Sequence, residues 1–87
     1  MVILKFQLSP YFGEQVIEIQ PFAKILSLQA QNGVPCFWAY VDEGVMQIPR
    51  RVYTFATGQE ISSGTQLNYV GTYQIHYLVC HVFIERE

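Results

Sequence analysis

The sequence predicts an all-β domain: a small antiparallel β-sandwich or barrel of six to seven short strands with a central hairpin. Three observations carry this expectation. Apolar and polar residues alternate with a period of two, and no window of a dozen residues shows the i, i+3, i+4, i+7 spacing of an amphipathic helix. Turn-forming residues recur at intervals of roughly 8–12 residues, as in sandwiches and small barrels. Asn32-Gly33 stands between two alternating arms, and a type I′ turn needs positive φ at both central residues, which this pair tolerates best.

Val2 to Leu8 reads as the first strand, with Val2, Leu4, Phe6 and Leu8 on one face. Pro10 and Gly13 break it. Gln15 to Gln20 is a second short strand, ended by Pro21. The hairpin arms follow. A two-residue turn at Asn32-Gly33 sets Gln31 opposite Val34, Leu28 opposite Phe37, Leu26 opposite Ala39 and Ile25 opposite Tyr40. One face then carries Leu26, Leu28, Ala30, Pro35, Phe37 and Ala39 and is expected to be core. The other carries Ile25, Ser27, Gln29, Gln31, Val34, Cys36, Trp38 and Tyr40. Pro35 has no N–H to offer a further strand, so that end of the arm should lie at an edge or rim. Arg50 to Thr57 is the next strand, rich in β-branched and aromatic residues. A polar loop from Gly58 to Gly64 separates it from Leu67–Ile75, where Gly71 suggests a bulge or bend. Tyr77 to Glu85 is apolar on both sides through most of its length and should be central.

At 87 residues the chain is expected to form one domain, residues 1–87. Its residues are 51% hydrophobic and 15% aromatic but only 14% charged, more apolar surface than so small an interior readily hides. The surplus predicts either an aromatic-rich interior or a surface that meets another subunit, in a homo-oligomer, or a partner. A net charge of −2 with five basic residues excludes non-specific nucleic-acid binding, which needs several phosphates neutralised. No apolar run approaches membrane-spanning length, and the first residues are wrongly flanked for a signal peptide. Cys36 and Cys80 are expected as buried free thiols in a cytoplasmic setting.

Reaction chemistry is hard to find. There are two histidines, one aspartate and no nucleophile elbow, so a nucleophile, base and orienting group do not come together. His76 and His81 lie five apart on what reads as continuous strand and should face opposite sides, so no metal or cofactor is expected. The aromatic-amide face is the candidate binding surface. Gln29, Gln31, Trp38 and Tyr40 could stack on and hydrogen-bond to a planar ligand or a protein partner. Arg50, Arg51 and Tyr53 open a strand that could adjoin it, and arginine forks suit phosphate or carboxylate. The opposing reading packs the aromatics against a second sheet and leaves the arginines solvated.

Several segments match a known pattern in order. Ala23-Lys24-Ile25-Leu26, Gln29, Gln31-Asn32-Gly33, Pro35, Trp38-Ala39 and Val41-Asp42 are followed by Thr57-Gly58, Gly71-Thr72-Tyr73-Gln74 and His81-Val82-Phe83. Together they resemble a family of short uncharacterised phage and prophage proteins. The chain departs from that pattern at Gly58-Gln59-Glu60-Ile61, where the family has Gly-His-Pro-Ile, and at His76-Tyr77, where it has a glycine-rich bend. The resemblance implies a phage origin and the host bacterial cytoplasm. The expected function is a non-enzymatic accessory protein that counters host antiviral defence. It would bind a host defence protein or sequester a nucleotide-like immune signal. The alternative is a structural or assembly protein with an oligomerisation surface and no small-molecule ligand.

Overall fold

Alternation becomes seven strands: β1 (Val2–Gln7), β2 (Gly13–Ile19), β3 (Lys24–Gln31), β4 (Val34–Val41), β5 (Ile48–Ala56), β6 (Leu67–Ile75) and β7 (Leu78–Glu85). They come from a computed structural model that describes residues 1–62, 64 and 66–87; Ser63 of the expected polar loop lies outside the described residues. All pairings are antiparallel, in a three-stranded sheet ordered β1-β4-β3 and a four-stranded sheet ordered β2-β5-β7-β6. The two sheets pack as an open sandwich rather than a closed barrel, within 39 × 34 × 17 Å. The described residues form no helix, and none therefore is long and apolar enough to cross a membrane.

The core lies between the inner faces. Phe37 and Ala39 from the first sheet meet Ile19, Val52, Tyr73, Cys80, Val82 and Ile84 from the second, with Leu8 closing one end. Phe6 lies opposite Phe37 and stacks on it, with ring centroids 5.0 Å apart. Both cysteines are buried and free. The sheets approach most closely where β3 crosses β6. There Gly71 has no Cβ, and one built on it would lie 2.9 Å from Cβ of Leu28. The register of β6 on β7 shifts between Tyr69 and Gly71, so this glycine both follows a bulge and admits Leu28.

Asn32 and Gly33 lie between β3 and β4 with φ of 53° and 77°, and Gln31 pairs with Val34. β4 is the central strand of its sheet, yet β1 pairs with it only as far as Cys36, one residue short of Pro35. The proline thus sits at a rim, where its missing N–H leaves no ladder bond unmade.

Two expectations need correction. The register assumed along the whole hairpin fails beyond Ser27–Trp38. A bulge between Ile25 and Ser27 sets Ile25 opposite Ala39 and Lys24 opposite Tyr40. Ile25 therefore packs on the core, and Leu26 is 40% exposed. One extra residue reverses the two faces from that point back toward the start of the strand. The second correction concerns His76, which does not continue a strand. His76-Tyr77 connects β6 to β7, and His76 has φ 55°, so alternation cannot be counted from it to His81.

Candidate functional site

The expected site residues fall in three places. Gln29, Gln31, Trp38 and Tyr40 lie on the outer face of the three-stranded sheet, where Lys5 Nζ donates to Gln31 Oε1 at 2.5 Å. Arg51 and Tyr53 lie on the outer face of the other sheet. Arg50 points inward between the sheets and is 7% exposed. Arg50 and Arg51 do not adjoin the Trp38 face, because β5 belongs to the second sheet and adjacent residues of a strand point to opposite sides.

Arg50 forms the floor of a cleft of about 480 Å³ at one end of the sandwich. That volume falls in the range of roughly 300–1,000 Å³ common to small-ligand sites. Ile19, Ile25 and Ile84 line its apolar wall; Asn68, Tyr69, Arg86 and Glu87 line the polar side, and Phe22 stands at the mouth. The local sequence accounts for the gap. Pairing of β5 with β7 ends at Val52–Ile84, and Pro49 precedes that point without an N–H to extend it. Arg50 fills the opening, with Nη2 donating to the carbonyl of Glu85 and Nη1 paired to the carboxylate of Glu87. Its Nε is buried with no partner among the described residues.

Glu87 is held at two points. Besides Arg50, it accepts a hydrogen bond from the Phe22 backbone N–H at 2.6 Å. Phe22 has φ 59°, an outlier for a bulky residue, and its side chain is among the most exposed apolar groups of the protein. Arg86 Nε donates to Asn68 Oδ1 at 3.1 Å, which places a second guanidinium on the cleft rim. A guanidinium joined to a backbone N–H is a carboxylate- and phosphate-binding pair, here occupied by an acidic side chain of the chain itself. Alternation could have revealed Arg50, since it shares a face with Val52 and Thr54. Phe22, Asn68, Arg86 and Glu87 carry no local signal, because only the meeting of four segments gives them a common purpose.

A second cluster was also missed. His81, on the outer face of the four-stranded sheet, has Nε2 2.7 Å from Thr57 Oγ1 and Nδ1 3.0 Å from Thr72 Oγ1. Thr72 Oγ1 also lies 2.5 Å from the Tyr69 hydroxyl. Beside it Tyr53, Phe55, Phe83 and Tyr69 form a run of contacting rings, with successive centroids 6.3, 5.8 and 5.4 Å apart. Loss of surrounding water and the Glu14 carboxylate opposite it on β2 push the Tyr53 phenol pKa above its usual range. Thr57, Thr72 and His81 each stand in a separate segment of the resemblance described above, and that shared membership was the available signal.

No curated protein and no solved structure matches the chain. A domain of unknown function, DUF7352, matches residues 1–87, and the chain belongs to that family.

Proposed function

We propose that this chain is a non-enzymatic binding domain that sequesters a small nucleotide-like anion in the Arg50 cleft, and that it serves a phage by countering host defence. The observation that carries the ligand reading is the seating of the Glu87 carboxylate on Arg50 and the Phe22 N–H. An incoming phosphate displaces Glu87 and takes both donors. Arg86 then adds a second positive charge, and the isoleucine wall with Phe22 accepts a flat apolar body such as a base. The anti-defence setting is supported by the sequence resemblance alone.

The test is a melting-temperature screen of the purified protein against inorganic phosphate, mononucleotides and cyclic dinucleotides. A ligand at 100 times its Kd stabilises by about 2.7 kcal/mol, or roughly 10–20 °C for a domain of this size. Arg50→Lys keeps the charge but not the planar fork, and should weaken binding of the responding ligand about tenfold or more. Glu87→Gln removes the internal competitor and should tighten it. If no member of the panel shifts the melting temperature of wild type or Glu87→Gln, the ligand reading fails. The alternative, a structural or assembly role, then gains support from the aromatic run on the outer face of the four-stranded sheet, half-buried except at the exposed Tyr69.

A further inference from the structure

The outer face of the four-stranded sheet is built in cross-strand rows. One row runs Val16 and Arg51, then Glu85 and Leu67, joined just beyond the last β5–β7 pair where the Arg51 backbone N–H donates to Glu85 Oε1 at 3.1 Å; the next runs Glu14, Tyr53, Phe83, Tyr69. A third sets Phe55 beside His81 and Thr72. Aromatic rings thus occupy the centre, charges one end and hydroxyls the other. Arg51 and Glu85 lie on the two middle strands, β5 and β7, symmetrically about the seam between them. The Arg51 side chain is 59% exposed, and its contact with Glu14 at 3.3 Å is a surface pair free to exchange.

We infer that this face binds a second copy of the same chain, through a two-fold axis running along the β5–β7 seam. Such an axis carries each row onto itself with its order reversed. Arg51 then meets Glu85 of the other copy, Tyr53 meets Phe83, and Phe55 meets His81. Every central group finds a complement, and no like charges meet at the middle of the contact. Four strands about 4.8 Å apart and some eight residues long present a face of ~500 Å². Two such faces bury ~1,000 Å², which reaches the lower bound of a specific interface. The inference goes beyond the ligand reading and concerns a different surface.

Sedimentation equilibrium at micromolar concentration provides the test, run on wild type and two charge reversals. Wild type should sediment at twice the 10.0 kDa monomer mass. Arg51→Glu alone and Glu85→Arg alone each place like charges across the axis and should be monomers, with circular dichroism checking that each is folded. An equimolar mixture of the two variants restores opposite charges at both ends of the pair and should recover the dimer. A monomeric wild type overturns the inference and leaves the face to some other partner. Single variants that still dimerise, or a mixture that stays monomeric, overturn it equally, since either shows that Arg51 and Glu85 do not meet across copies.

Discussion

A single missing atom group governs how close the two sheets come. At Gly71 a Cβ would lie 2.9 Å from Leu28 Cβ and 3.2 Å from Leu28 Cδ2, distances that cannot persist. The nearer contact is to a Cβ fixed by its own backbone, so rotation of the leucine does not relieve it. Gly71→Ala should therefore destabilise by about 1–3 kcal/mol, the usual cost of overpacking, with a lower denaturant midpoint at unchanged m-value. A midpoint equal to wild type would mean that β3 and β6 are not held at this distance. Gly71 was legible as a bulge, because glycine inside an alternating strand signals one. Its closeness to Leu28 was not, since nothing near position 28 reports which strand lies above it.

At the scale of the strand, one bulge decides which residues of β3 are core. Alternation read from the Asn32-Gly33 end holds through Ser27–Trp38, and the extra residue at Leu26 then inverts it. Ile25→Ala should accordingly cost about 1–3 kcal/mol, below the full range for a wholly buried isoleucine because Ile25 is only half-buried. Leu26→Ala should cost within about 0.5 kcal/mol, as surface changes usually do. Urea melts of the two variants check the order. The opposite order would restore the unbulged register, with Leu26 facing the core. The bulge has no glycine to announce it, and Ile25-Leu26 offers two apolar residues in succession, either of which suits a core face.

The packed whole sets the behaviour of groups that no strand controls alone. Tyr73 on β6 stands opposite Cys80 of β7 in the core, and burial, reinforced by the neighbouring Cys80 thiol, pushes its phenol pKa far above the ordinary value. The folded protein thus keeps the phenol proton to higher pH than the unfolded chain does. The stability linked to that proton is complete below about pH 10, the unfolded value, and is lost progressively as pH rises above it. Chemical denaturation between neutral pH and pH 11 should show a falling midpoint at the alkaline end, and Tyr73→Phe should reduce the slope. An identical slope in the variant would place the Tyr73 hydroxyl in water.

What the sequence by itself determined is the local layer of the structure. Period-two alternation depends only on neighbouring residues, so the strands from Val2, Val34, Leu67 and near Tyr77 could be read to within a residue or two. The rim position of Pro35 and the irregularity near Gly71 were legible for the same reason, since each follows from the backbone chemistry of one residue. What the tertiary structure alone decided is which strands share a sheet and which face looks inward. That choice placed Arg51 and Tyr53 on a different sheet from Trp38 and Tyr40, and turned Arg50 into the floor of a cleft. It also joined Phe22, Asn68, Arg86 and Glu87 around that arginine. Sheet order rests on contacts between residues far apart in the chain, and their energies come from burial, which no single segment of the sequence contains.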